Sequence, residues 1–133
     1  MITEDYVSFE LAKLLKEKGF DESCDRYAAN KRIYDNYEWT SCNITGHDIG
    51  IPTLYMALKW LRDVHHIYPD IAVEVVVKNP LTEKTPNNTV VYFSIKGIYN
   101  ASTNKWDNSC ISFFKTYEQA AETAVKYTLE HLI

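Results

Sequence analysis

Cysteine and histidine side chains are the residues of this sequence that could hold a metal ion or form a nucleophilic pair. The candidates are Cys24, Cys42, Cys110, His47, His65 and His66. Zinc ligands usually come from short repeats such as C-x-x-C or H-x-x-x-H, and neither spacing occurs here. His65 and His66 are adjacent, so a helix would point them roughly 100° apart and give them no shared ligand face. We therefore predict no metal site.

The sequence context of the cysteine and serine residues disfavours covalent catalysis. A thiolate–imidazole pair remains a remote alternative, because three cysteines and four histidines allow one. Cys110 begins an apolar segment, however, and this context predicts a buried, inert thiol. Ser23 and Ser41 lack the flanking glycines of a nucleophile elbow. The four glycines are too scattered for a phosphate-binding loop, so we predict no catalytic residue, no cofactor and no enzymatic activity.

Length and charge narrow the class of protein further. The chain has 133 residues, which predicts a single domain over residues 1–133. The formal net charge of −4 disfavours a general nucleic-acid binder, because such proteins carry a basic surplus to neutralise phosphates. No signal peptide and no continuous apolar span is recognisable. The odd number of cysteines predicts reduced thiols, and the expected location is the cytoplasm.

Hydrophobic periodicity predicts three helices. The first covers residues 4–18, capped by Asp5 or Ser8 and ended by a glycine at position 19. The second covers residues 52–65, and its predicted core stripe consists of Leu54, Ala57, Leu58, Leu61 and Val64. The last lies in 115–133 and opens with a T-x-x-Q capping box at Thr116. Its alanines should let it lie close on a sheet, with an exposed pair of Glu122 and Lys126.

Three β-branched segments predict strands at 71–78, 89–99 and 110–115. Short polar connections favour antiparallel hairpins between them. The stretch from 21 to 50 shows no clean alternation, so we predict an irregular aromatic connector, with a hairpin turning at Ala29-Asn30-Lys31 as the alternative. The expected fold class is α+β: a three-stranded antiparallel sheet with helices packed on one face, in the order α–connector–α–β–β–β–α.

Aromatic residues are unusually numerous for a chain of this size. Ten tyrosines and three tryptophans exceed what a small core requires. Tyr34, Tyr37, Trp39 and Trp106 fall in predicted connecting segments, where exposed rings could anchor a partner. The alternative is that these rings fold back as a cover over the core. We take these four residues as the candidate interaction surface.

Residues 52–133 alone have the predicted order α-β-β-β-α, which resembles two nucleic-acid-binding layouts. One is the double-stranded-RNA-binding domain, and the other is the arm-type DNA-binding domain of phage integrases. The RNA domain needs basic residues at the start of its last helix. Here that helix opens with Tyr117, Glu118 and Gln119. Nucleic-acid binding therefore stands as the second hypothesis.

Three longer stretches carry a resemblance to a family. DYVSFELAKLLKEKGFDE (5–22), IPTLYMALKWLRDVHHI (51–67) and KTYEQAAETAVKYTLEHLI (115–133) together resemble small uncharacterised proteins of gut Bacteroidales and their phages. The resemblance implies a cytosolic protein of mobile-element origin and carries no catalytic residues. Our leading hypothesis is a small non-enzymatic domain that binds another protein. A homodimer is compatible with an edge strand such as 110–115.

Overall fold

The computed structural model describes residues 4–29, 32–40, 48–77, 89–109 and 112–133, and the side chains of 36–40 and 77 lie outside that description. This part of the chain forms three helices and seven strands. In chain order they are α1 (Phe9–Glu17), β1 (Cys24–Ala29), β2 (Arg32–Thr40), β3 (Ile49–Gly50), α2 (Leu54–His65), β4 (Ile67–Val77), β5 (Thr89–Asn100), β6 (Lys105–Asp107), β7 (Ser112–Phe114) and α3 (Tyr117–His131). The prediction of an α+β fold with antiparallel strands is confirmed.

The strands form two antiparallel sheets, which corrects the expectation of one three-stranded sheet. Sheet 1 has the order β2-β1-β3. In sheet 2, β4 pairs along one side of β5, while β6 and β7 pair in succession along the other side. The three predicted strands all belong to sheet 2. The predicted strand at 110–115 corresponds to β7, and β6 lies in what was predicted to be a loop.

The prediction of an irregular connector over residues 21–50 is wrong for the described part of this stretch, which consists largely of strands. β1 and β2 form a hairpin in which Ala29 is opposite Arg32, as in the hairpin alternative. The ring of Tyr27 stacks on that of Tyr34, with centroids 5.5 Å apart. β1 buries only the small side chains of Cys24 and Ala28, so its sequence lacks the alternation of large apolar residues that marks a strand.

The helix ends follow the sequence closely. At the start of each helix, a side-chain hydroxyl accepts a hydrogen bond from the backbone N–H of the residue three positions later. The hydroxyl of Ser8 accepts from Leu11, that of Thr53 from Met56, and that of Thr116 from Gln119. After α1, Gly19 adopts a φ of +96°, and the N–H of Phe20 donates to the carbonyl of Leu15. Phe20 is buried there, so the predicted glycine stop with its hydrophobic partner is confirmed.

α3 lies between two groups of core residues. Its buried residues are Ala120, Ala121, Ala124, Val125, Thr128 and Leu129. Ala120 and Ala124 pack with Ile95 and Ile98 of sheet 2. Ala121, Val125 and Leu129 pack instead with the cluster formed by α1, α2 and β1. The closing helix therefore serves both groups of core residues through small side chains.

One residue of α2 lies differently from its prediction. Val64 was expected in the core stripe but is 52% exposed. Trp60 is buried in its stead and meets Phe20 edge-on, with ring centroids 5.4 Å apart. The large indole fills the space beside the α1 stop, which leaves Val64 in the last turn beyond the core.

The predicted ion pair between Glu122 and Lys126 is also replaced. The Nζ atom of Lys126 lies 3.8 Å from Oε1 of Glu130, which is one turn further along α3. The Oε1 atom of Glu122 accepts a hydrogen bond of 3.1 Å from the backbone N–H of Ser8. A carboxylate at the start of α1 also suits the positive end of the helix dipole. No helix in the described residues is long and apolar enough to cross a membrane.

A β-bulge in β5 divides sheet 2 into two halves. Ile71 is opposite Ile95, whereas its neighbour Asp70 is opposite Gly97. Lys96 is therefore an extra residue with no counterpart on β4. Such an insertion reverses the sides to which all later side chains of the strand point.

The reversal decides which residues of β5 face the helices. Phe93 and Ile95 face α3 before the bulge, and Ile98 faces it afterwards. Without the extra residue, the period of two would direct Gly97 and Tyr99 toward the helices and Ile98 away from them. The bulge thus buries the isoleucine and places Tyr99 on the opposite face.

The two adjacent histidines, His65 and His66, lie at the end of α2. His66 adopts a left-handed conformation (φ 58°) that ends the helix, and β4 begins at the next residue. The Nε2 atom of His65 is buried, with no hydrogen-bond partner in the described part of the chain. Its ring meets that of Trp60 edge-on at 4.6 Å. Burial, and secondarily the charge of His66, lowers the pKa of His65 below 6.5.

Replacing Ala124 by leucine should destabilise the protein by about 1–3 kcal/mol, because the larger side chain must push α3 away from sheet 2. Urea unfolding measures the change. Lys126→Leu, on the exposed side of the same helix, is the matched control and should change the stability little. Equal stability of the two variants would contradict the close contact between α3 and the sheet.

Stability should decrease as the pH falls below the unfolded pKa of His65, about 6.5. The folded pKa is lower, so in this window the unfolded state takes up the proton more readily, and the loss ends below the folded pKa. Unfolding measured between pH 7.5 and 5 (~0.5-unit steps) should show a shallower slope for His65→Gln than for the wild type. His131→Gln is the control, and an unchanged slope in His65→Gln would refute this role.

Candidate functional site

The face of sheet 2 that points away from the helices carries a row of aromatic rings. Tyr68 of β4 is opposite Tyr99 of β5, which is opposite Trp106 of β6. The ring centroids are 6.5 Å apart in the first pair and 5.1 Å in the second. Phe113 of β7 is opposite Ser94 and points to the same side. We call Tyr68, Tyr99, Trp106 and Phe113 together the aromatic face.

The aromatic face is open to solvent. The exposed fractions are 42% for Tyr68, 56% for Trp106 and 67% for Phe113. The residues that pack with the helices, such as Ile95 and Ile98, point to the other side of the sheet. Large rings on a surface cost free energy by ordering water, and contiguous exposed apolar residues often mark an interaction site.

A close contact with the backbone holds Trp106 in its position. Gly97 lies beneath the indole, and a Cβ atom added there would be 3.1 Å from Cε3 of Trp106 and 2.6 Å from Oδ1 of Asn108. The hydroxyl of Tyr99 donates to Oδ1 of Asn104 at 2.6 Å. The central tyrosine and the tryptophan are thus fixed by local contacts.

Charged groups on this side of the sheet largely neutralise one another. Glu74 is bound by the ammonium of Lys96 and accepts from the hydroxyl of Ser94 at 3.2 Å. The hydrogen bond from Lys96 is the main reason that the pKa of Glu74 is lowered. Asp70 is the other charged residue that the pairing places here. Their net charge is therefore about −1 at neutral pH.

The four aromatic residues predicted from sequence do not form one surface. Trp106 belongs to the aromatic face, and it lies in a strand rather than in the predicted connection. Tyr34 is 40% exposed on β2 of sheet 1, beside Tyr27. Tyr37 and Trp39 are also within β2, which corrects their assignment to a connector, but their side chains lie outside the described residues.

Tyr68, Tyr99 and Phe113 were not identified as site residues from sequence. β4 begins at Ile67, so Tyr68 is in a strand, whereas the predicted strand began at Ile71. Tyr99 changes sides through the bulge at Lys96. The signal for Phe113 was present, because alternation in CISFFK places its two phenylalanines on opposite faces.

The candidates for metal and thiol chemistry are not assembled in the described residues. No group of three or more metal-binding side chains lies together in that part of the chain. Cys24 is buried, with its Sγ 3.5 Å from the carbonyl oxygen of Glu22. Cys42, Cys110 and His47 lie outside the described residues. The absence of catalysis stays a prediction.

A groove of about 470 Å³ lies between α1 and α3. Its floor includes Phe9 and Leu14. Lys13 lies over the Phe9 ring, and Lys126 pairs with Glu130. These contacts describe a solvated helix surface.

Replacing Gly97 by alanine should displace the Trp106 ring and cost about 1–3 kcal/mol, because the new methyl group overlaps the indole and Asn108. The Trp106 indole N–H resonance should shift, and urea unfolding gives the stability. Gly19→Ala is the control: it should cost about 1–2 kcal/mol through backbone strain alone and leave that resonance in place. An unmoved resonance in Gly97→Ala would contradict the packing described.

The whole chain was also compared with known proteins. No family model, no curated protein and no solved structure matches it. The aromatic face and its charges are therefore the basis on which a function can be argued.

Proposed function

We propose that this chain is a protein-binding domain and that the aromatic face of sheet 2 is its binding surface. The observation that carries the proposal is the row of Tyr68, Tyr99 and Trp106 on the side of the sheet opposite the helices. Tyr68 and Trp106 are exposed, and Tyr99 is half-buried between them. Tyrosine and tryptophan are the residues that most often dominate binding energy at protein interfaces. They combine a large apolar area with few rotatable bonds.

The neighbourhood of the row favours a protein as the partner. Phe113 and Val76 extend the apolar surface beyond the three rings and are 67% and 48% exposed. Glu74 and Lys96 are already paired with each other, so a partner would meet few charges that lack a counterpart. A flat, apolar surface with neutralised charges suits an apolar patch on another folded protein.

Nucleic acid is the less favoured partner class. Stacked bases would also suit exposed aromatic rings, but such surfaces track the phosphates with a basic groove. Here Lys96 is engaged by Glu74, and Asp70 adds a negative charge. Nucleic-acid binding at this surface would therefore lack the electrostatic contribution on which its affinity usually depends.

Origin from a phage or mobile element, cytoplasmic location and lack of enzymatic activity remain part of this proposal. The support for them is the sequence alone: the resemblance of three long segments, the cysteine count and the missing catalytic motifs. A protein-binding role does not depend on any of the three.

Photo-crosslinking in the host cell tests the proposal. A benzophenone amino acid in place of Phe113 should capture one protein partner, because this position is 67% exposed within the aromatic face. The matched control places the same amino acid at Tyr55 on α2, which is equally exposed at 67%. The captured protein, once purified, should bind Trp106→Ala at least ~10-fold more weakly than the wild type.

Three outcomes would refute the proposal. One is no adduct from position 113, and another is the same adducts from position 55. The third is a partner whose affinity for Trp106→Ala equals that for the wild type. Retention of nucleic acid that persists at moderate salt would instead favour the second hypothesis, whereas binding lost near ~100 mM salt would indicate only weak charge contacts.

A further inference from the structure

The outer edge of β4 is an unpaired strand edge in the described part of the chain. β4 pairs with β5 from Ile67 to Val77, and no described strand pairs along its other side. Such an edge presents free N–H and C=O groups to other chains, and folded proteins usually protect it. The length of eleven residues makes this edge prominent.

Only the first half of β4 has protective features. Pro69 lacks a backbone N–H, and the bulge begins opposite Asp70. The second half, Ala72–Val76, has neither a proline nor a bulge. Val73, Val75 and Val76 are 60%, 59% and 48% exposed.

The end of this second half, Glu74–Val76, also belongs to the thinnest described part of sheet 2. β7 covers β5 only from Phe93 to Ile95, so among the described strands Val90 and Val91 pair with β4 alone. The sheet is therefore a two-stranded ribbon here, and Val91 adds a further 47% exposed valine. Two-stranded ribbons are marginally stable in water without further partners.

We propose that the edge of β4 pairs with the same edge of a second copy of this chain. The two strands would run antiparallel across a two-fold axis and join the two copies of sheet 2 into one sheet. With the axis at Val73, Ile71 is opposite Val75 of the second copy, and Ala72 is opposite Glu74 of the second copy. The exposed valines of one copy then cover those of the other.

The charge pattern of the edge fits a second copy. Between Ile71 and Val76 the only charged residue is Glu74, and its carboxylate is already bound by Lys96 and Ser94 of its own chain. Pairing about Val73 or Val75 never brings the two Glu74 side chains opposite each other. Pairing about Glu74 itself would do so and is disfavoured.

The edge is also small, which sets the expected affinity. Six or seven paired residues bury less than the ~1,200 Å² of stable interfaces, so a dissociation constant in the micromolar range is expected.

Each copy has a net charge of −4, so moderate salt should strengthen the pairing by screening the repulsion between the two copies. The axis is perpendicular to the sheet and leaves both aromatic faces on the same side. This inference does not depend on the proposed function.

Sedimentation equilibrium of the full chain from ~1 to ~500 µM tests the pairing. The wild type should form dimers in this range, and Val73→Lys/Val75→Lys should weaken dimerisation at least ~10-fold. Val64→Lys is the matched control, since Val64 is 52% exposed on α2, and it should dimerise like the wild type. Far-UV circular dichroism checks that each variant is folded.

Amide hydrogen exchange of the wild type is a second test of the pairing that requires no variant. The amides of Ala72–Val76 should exchange more slowly at high than at low protein concentration. A wild type that stays monomeric throughout, a double variant that dimerises unchanged, or concentration-dependent protection confined to other residues would each overturn the proposal. A normal crosslink from the aromatic face alongside a monomeric chain would leave the protein-binding function in place and remove the dimer alone.

Discussion

One extra residue in β5 sets the arrangement of sheet 2. Because Lys96 has no counterpart on β4, the strand presents Phe93 and Ile95 to α3 before the bulge and Ile98 after it. A regular strand could bury only one of these two sets. The same insertion turns Gly97 and Tyr99 outward, where the glycine makes room for Trp106. Core and surface are thus produced by a single irregularity in the pairing.

The lysine in the bulge also contributes to the outer surface. Its ammonium reaches Glu74, which the hydroxyl of Ser94 contacts as well, so the charges next to the rings are neutralised within the sheet. Burial of a charged group in an interface is costly unless it is paired. The bulge therefore brings Tyr99 to the surface and supplies the cation that neutralises Glu74 on the same side of the sheet.

Sequence reasoning predicted the elements whose signals are local. Ser8, Thr116 and Gly19 act through neighbours about one turn away, so their roles could be inferred from spacing. The buried alanines of α3 follow the helical period, which the sequence also shows. The exposed ring of Trp106 was also identified, although within the wrong kind of element.

What sequence reasoning missed depends on contacts between distant segments. β1 buries only small side chains, and its pairing with β2 carries an irregularity between Cys24 and Arg26 that breaks the period of two. The bulge at Lys96 becomes visible only when β5 is aligned with β4. Trp60 replaces Val64 in the core because Phe20 lies beside it. Each of these depends on a partner that is far away in the chain.

The position of α3 limits how this protein can change over evolutionary time. Single methyl groups separate the helix from sheet 2 at Ala120 and Ala124, and another at Ala121 meets the opposite layer. Bulk gained on one side would have to be removed on the other, so these positions can vary only in concert.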